Sequence, residues 1–161
     1  MTGKQRSFAL LIDMNKIFER AVERAVSEVV AERDGWSVAL QVTTRNLVTD
    51  GKHKVSIRPD ILVRDSEEEV ALVGDAKWKL GRPSNSDFYQ MVSYQFAHEV
   101  PGALIYPEQG GDIETEYSVV DQYPLSLIEF PIPAVTEDFS GYIDRVYDRV
   151  SEQIWTLVNE G

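Results

Sequence analysis

The sequence predicts an α/β fold, specifically a mixed α+β sheet flanked by helices, and three observations predict it. Apolar residues recur at helical spacing near the N-terminus. The middle of the chain breaks into short apolar or alternating segments separated by turn residues, and a long amphipathic run closes the sequence. The expected order is α-β-β-β-α-β, followed by extra strands and a C-terminal helix. The 161 residues, 43% of them hydrophobic, fit a single domain over 1–161 that is large enough to bury a core without staples.

From Met14 to about Arg33, the residues Ile17, Phe18, Ala21, Val22, Ala25, Val26, Val29 and Val30 fall on one helical stripe, and Asp34-Gly35 stops the run. Trp36 to Thr44 alternates apolar and smaller or polar residues as a strand does. Asp50-Gly51 then marks a turn into a second hairpin arm from about Lys54 to Val63. The charged stretch Asp65 to Glu69 separates that arm from a third strand, Val70 to Lys77. A polar loop, Gly81 to Ser86, supplies helix caps for Asp87 to Glu99, and Pro101-Gly102 ends that helix. Short strands follow at Ala103 to Tyr106, Tyr117 to Val120 and Leu125 to Phe130. The last helix, about Glu137 to Val158, is expected to bury Phe139, Ile143, Val146, Tyr147, Val150, Ile154 and Leu157.

Composition removes several function classes. Without cysteine there are no disulfides or thiolate metal sites, and the two histidines, His53 and His98, have no partners at zinc-ligand spacing. No apolar stretch is long enough for a membrane span and the N-terminus lacks a signal-peptide pattern, so the chain reads as cytoplasmic and free of membrane. The net charge of -11 argues at first against a nucleic-acid ligand. Its distribution weakens that argument: residues 1–107 carry 14 Lys/Arg against 15 Asp/Glu, and residues 108–161 carry 2 against 12. The acidic C-terminal third fits a solvated face, a salt-adapted surface or a patch for a basic partner.

Two charged interruptions of apolar strands carry the chemistry. In Ile57-Arg58-Pro59-Asp60-Ile61-Leu62-Val63, Asp60 follows a proline that cannot donate to a ladder. In Leu72-Val73-Gly74-Asp75-Ala76-Lys77, the acid and the base are two positions apart and so project from the same face of a strand. If the two strands pair, Asp60 comes beside Asp75. Neighbouring carboxylates stay ionised where a cation neutralises them, and a hard ion with oxygen ligands, Mg²⁺ above all and Mn²⁺ second, suits that set. Such an ion polarises a phosphoryl oxygen and activates water, with Lys77 placed to orient the water or stabilise developing charge. Each residue taken alone also fits a plain surface role.

Pro59-Asp60, fourteen intervening residues and Asp75-Ala76-Lys77 together resemble the motif of the PD-(D/E)XK nuclease superfamily. Three further stretches sharpen the resemblance. Met14-Asn15-Lys16-Ile17-Phe18-Glu19 resembles the helix-opening signature of McrC, the nuclease subunit of the McrBC 5-methylcytosine restriction system. Asp87-Phe88-Tyr89-Gln90-Met91-Val92-Ser93-Tyr94 is similar to the Asp-x-Tyr-Gln and Gln-x-x-x-Tyr pattern of that family and of RecB-like nucleases. Asp75-Ala76-Lys77-Trp78-Lys79 resembles its Asp-Ala-Lys-aromatic-Lys run.

The resemblance implies a restriction-endonuclease-like core and a Mg²⁺-dependent DNA endonuclease that hydrolyses phosphodiester bonds. Asp60, Asp75, Lys77, Glu19 and Gln90 are then the catalytic candidates, and Asp60, Asp75, Glu19 and the Ala76 carbonyl the metal ligands. Arg58, Lys79, Arg82 and Tyr94 are candidates for DNA contact, with ordinary surface or helix-face roles open for each. Gln90 and Tyr94, four apart on a helix, share a face from which they can hold a phosphate or fix Lys77. The implied partners are DNA and a McrB-like GTP-driven AAA+ motor subunit, since this chain has no Gly-rich phosphate loop ending in Gly-Lys-Ser/Thr. A homodimer is also compatible. Two other readings stay open: a catalytically idle nuclease-fold interaction subunit, and a DNA repair or junction nuclease.

Overall fold

The computed structural model describes residues 12–49, 52–110 and 114–160. Helix α1 (Met14–Ala31) is capped by the Asp13 side chain, and Gly35 turns the chain out of it at a φ of +80°. Strands β1 (Ser37–Leu40), β2 (Arg45–Val48), β3 (Val55–Ile57), β4 (Ile61–Arg64) and β5 (Val70–Ala76) follow. Then come α2 (Asn85–His98), β6 (Gly102–Pro107), β7 (Glu116–Val119), β8 (Tyr123–Phe130) and α3 (Phe139–Glu160).

Six strands form one mixed sheet in the order β1-β4-β5-β6-β8-β7, while β2 and β3 pair separately as a two-stranded ribbon. β1 pairs antiparallel with β4, and β4 antiparallel with β5. β5, β6 and β8 are parallel, with α2 as the crossover from β5 to β6. Both faces of the sheet are covered, which is why β4 and β6 read as continuous apolar runs rather than alternating ones. On one face α1 and α3 bury Val22, Val26, Val29, Val150, Ile154 and Leu157 against Ile61, Val63 and Leu72. On the other face α2 packs Met91 and Tyr94 onto Leu62, Val73 and Leu104.

Three sequence expectations are corrected. The strand expected over Trp36–Thr44 ends at Leu40, because Gln41 adopts a left-handed backbone with φ 49°. The single arm expected over Lys54–Val63 is two strands, broken at Arg58-Pro59-Asp60, where proline contributes no ladder donor. β1 therefore pairs with β4, Ser37 opposite Arg64, and the β2/β3 ribbon is an excursion between them. The Asp50-Gly51 turn lies outside the described residues. The third correction concerns the helices: on α3, Phe139 is 78% exposed and Ile143 is also exposed, so the buried stripe begins at Val146. On α1, Ile17 and Ala21 are likewise exposed.

Candidate active site

The break before β4 and the end of β5 place the charged residues together. Antiparallel pairing sets Ile61 opposite Gly74, so the next step along each strand brings Asp60 beside Asp75. Asp60 accepts a hydrogen bond from the Ala76 N–H at 3.0 Å, which ties its carboxylate to the end of β5. Strand alternation then decides the face. Val73 packs under α2, so Asp75 and Lys77, at steps of two, project toward the same helix.

Asp75 is 1% exposed. Lys77 Nζ lies 2.6 Å from its Oδ2, an ion-pair distance, yet no donor is aligned on that oxygen for a hydrogen bond. Burial, and next the charge of Asp60, push the Asp75 carboxyl up to about 6. For Lys77, burial works against the ammonium, but Asp75 and Asp60 outweigh it and raise its proton affinity. The second donor direction of Lys77 goes to Gln90 Oε1 at 3.1 Å.

Gln90 is the centre of a brace. Its amide nitrogen donates to the Tyr94 hydroxyl at 2.7 Å, and that hydroxyl donates to the Arg58 carbonyl at 3.1 Å. One α2 face therefore grips both the Lys77 ammonium and the backbone break that carries Asp60. Tyr94 is 5% exposed with its hydroxyl engaged in both directions, so its place is inside this brace and not on an open DNA-contact surface. Glu19, on α1, is half-buried. Burial first, then the charges of Asp60 and Glu23, raise its carboxyl above the ordinary range, which places it at the border of the same electrostatic cluster.

A second network centres on Asp87, the residue that opens the Asp-x-Tyr-Gln run. Its Oδ2 accepts from the Ser84 N–H and hydroxyl at 2.6 Å each, and from Lys79 Nζ and the Tyr106 hydroxyl at 2.8 Å each. Burial pushes the Asp87 carboxyl up, but these donors outweigh it and hold the group well below the usual carboxylate range. Lys79 thus has its charge paired at the start of α2. It braces the segment after Lys77 and is no free cation for a phosphate. A sequence signal was available: Ser84 and Asp87 have the spacing of a helix-capping pair. Arg58 and Arg82 are exposed. His98 is half-buried against the Thr44 hydroxyl.

The donor set fits a divalent cation in part. Asp75 contributes a buried oxygen without an aligned donor, Asp60 a second carboxylate beside it, and the end of β5 the Ala76 backbone. Among the described residues no three His, Cys, Asp or Glu side chains converge as a ready-made cation site. The protein therefore offers two carboxylates, and further ligands would have to come from water and substrate oxygen.

A family model described as McrBC 5-methylcytosine restriction system component matches residues 1–107. No curated protein matches the sequence. Among solved structures, the chain is similar to one in a refined half-complex from a tetradecameric assembly of Thermococcus gammatolerans McrB AAA+ hexamers with bound McrC. The TM-score is 0.68 at 21% identity, over 89% of this chain and 34% of that one. The chain thus spans about a third of the length of its structural neighbour. Among the described residues no helix is long and apolar enough to cross a membrane.

Proposed function

The chain belongs to the McrBC 5-methylcytosine restriction system component family, and from that premise we propose that it is the cleaving part of such a system, a metal-dependent endodeoxyribonuclease domain of the PD-(D/E)XK type. The observation that carries the reading is the convergence of Asp60, Asp75 and Lys77, with a buried Asp75 oxygen that has no aligned hydrogen-bond donor. Burying the Asp75 carboxyl beside Asp60 raises its proton affinity and costs stability, a pattern that clusters at reactive sites.

Asp60 and Asp75 would hold a Mg²⁺ or Mn²⁺ ion, with Glu19 at the border of the set. When bound, the ion supplies Lewis acidity toward a phosphoryl oxygen and lowers the proton affinity of a water. Lys77, kept protonated by both carboxylates and aimed by Gln90, donates to a water or a non-bridging oxygen and stabilises the extra negative charge of the transition state. Gln90 and Tyr94 hold that ammonium and the Asp60 turn in register, so their part is positioning. The substrate is DNA, and a McrB-like AAA+ motor is the partner, the assembly named for the structural neighbour.

The test is Mg²⁺-dependent nicking and cleavage of plasmid DNA, with and without a McrB-like partner, by Asp75→Ala and Lys77→Ala. Each variant is expected to lose at least roughly 100-fold in rate, the scale of removing a transition-state charge stabiliser. Full activity in both variants would remove the assignment.

A further inference from the structure

We propose that the groove between α1 and the β1–β3 turn seats the DNA phosphate backbone that flanks the scissile bond, with Lys16, Arg20 and Arg58 as its contacts. The proposal rests on the phosphodiesterase reading above and adds where the strand runs. The groove, of about 490 Å³, is lined by Lys16, Glu19, Arg20, Glu23, Leu40, Gln41 and Arg58. Positions 16, 19, 20 and 23 fall at i, i+3, i+4 and i+7, so they form one polar stripe of α1 facing the groove. The groove opens from the carboxylate cluster itself, since Glu19 lines it and feels the charge of Asp60, and Arg58 precedes Asp60 by two residues.

Its charges are arranged for an anion. Three cations stand against Glu19 and Glu23, and the Glu23 carboxylate is already engaged, accepting from Gln41 Nε2 at 3.1 Å. The Arg58 guanidinium is fixed in direction: Nε donates to the Gln41 carbonyl at 2.5 Å and a terminal nitrogen to Gln41 Oε1 at 3.2 Å. Gln41 in turn donates its N–H to the Asp60 carbonyl at 2.9 Å, which explains why a non-glycine residue is held in a left-handed backbone there. The same residue thus sets Arg58 and the Asp60 turn, and couples the groove to the reacting centre. Lys16 is paired with Asp13 at 3.5 Å, with both side chains well exposed, so a phosphate can displace that contact at little cost. In a chain with a net charge of -11, three cations beside the carboxylates favour the approach of a phosphate backbone along this groove.

The experiment measures binding of a short fluorescent DNA duplex by anisotropy over a salt series, with Ca²⁺ present to hold the site without turnover. Lys16→Ala/Arg20→Ala is expected to weaken binding and to reduce the slope of log affinity against log salt by roughly 2, and Arg58→Ala by roughly 1, at about 0.9 for each phosphate no longer neutralised. Arg24→Ala, on the side of α1 that faces α3, serves as the control and leaves the slope unchanged. Lys16 and Arg20 are exposed, so their removal leaves the fold in place, and far-ultraviolet circular dichroism checks it. Plasmid cleavage by the same proteins keeps the two readings apart. If wild type binds and cleaves while the groove variants keep its slope, the groove is overturned and the nuclease reading stands. If the groove variants lose slope but Asp75→Ala cleaves like wild type, the groove stands and the catalytic assignment falls. Failure of wild type to bind the duplex overturns the groove.

Discussion

Replacing Asp75 by asparagine should make the metal-free protein more stable at neutral pH while abolishing cleavage. The folded carboxyl ionises at about 6 because it is buried and faces Asp60, against an ordinary value of 3.8. At about 1.4 kcal/mol per tenfold change in proton affinity, ionising it inside the fold costs on the order of 3 kcal/mol. Asparagine removes that charge but leaves a buried amide with incomplete partners, which takes back about 1–2 kcal/mol. The net gain is therefore roughly 1–2 kcal/mol, or about 2–8 °C in Tm for a domain of this size.

The sign follows from linkage. Below pH 3.8 the carboxyl is protonated in both states and costs nothing. Between 3.8 and about 6 the unfolded chain holds fewer protons than the folded one, so stability falls as pH rises through that window, and above it the cost is complete. Urea unfolding of wild type and Asp75→Asn in EDTA should show the variant less stable by about 1 kcal/mol near pH 4, where only the amide penalty counts, and more stable by roughly 1–2 kcal/mol at pH 8. Adding Mn²⁺ should reverse the order, since only wild type gains the free energy of binding the ion. A variant less stable than wild type at pH 8 in EDTA, or an offset that does not change with pH, would refute the reasoning.

Asp87→Ala should cost about 2–4 kcal/mol, because it removes the acceptor of a helix-start contact and strands the hydroxyl of fully buried Tyr106; the urea midpoint measures it, and a change under about 0.5 kcal/mol would contradict it. The Asp87 carboxyl is held below its ordinary value of 3.8, so its contribution is present above that pH and is lost as pH falls below it; wild type should show an acid-unfolding limb there that Asp87→Asn lacks. At Gly102 a Cβ would lie 2.8 Å from both Gln95 Cδ and Met91 Cε, so Gly102→Ala should lose roughly 1–3 kcal/mol by overpacking α2 on β6, read as a Tm drop by calorimetry. Phe139→Ser should change stability by less than about 0.5 kcal/mol, because its ring sits in solvent at the start of α3.

The first and last helices were legible from periodicity and the middle one from its caps and the Pro101-Gly102 stop, and β5, β6, β7 and β8 lie close to where the apolar runs place them. The chain between α1 and β5 was less legible. Alternation from Trp36 to Thr44 hides a left-handed residue at Gln41, and nothing in a glutamine announces one. Pro59 did announce a break, but a proline marks only the missing donor and not the partner each half will choose. That β1 skips the adjacent ribbon to pair with β4 is a long-range choice that satisfies the backbone edge of β4, while the helices cover the faces of Ile61, Leu62 and Val63. On α3, period alone extends the apolar stripe to Phe139. The sheet ends earlier than the helix does, so Phe139 has nothing to pack on.

At the site, residue types and spacing singled out the candidate groups, and burial and pairing separate those proposed to react from those that brace. Strand alternation puts Asp75 and Lys77 on one face, an assumed pairing of the two strands adds Asp60, and pairing of β4 with β5 places the three so. Lys79 and Tyr94 have the composition of phosphate contacts, yet one is paired to a buried aspartate and the other spends its hydroxyl on a backbone carbonyl. Cations near a reactive lysine are ambiguous in sequence because one residue type serves both ends. A free guanidinium attracts a phosphate, and a paired ammonium stiffens a strand end. The Asp-Ala-Lys-Trp-Lys run is therefore better understood as one buried ion pair followed by a strut: Lys77 turns back to Asp75, while Lys79 reaches forward to the first turn of α2. The strut explains why the aspartate opening Asp-Phe-Tyr-Gln is as buried as a core residue. It anchors the helix whose next turn presents Gln90 to Lys77, so any loosening at Asp87 should be felt first as a misplaced ammonium at the reacting centre.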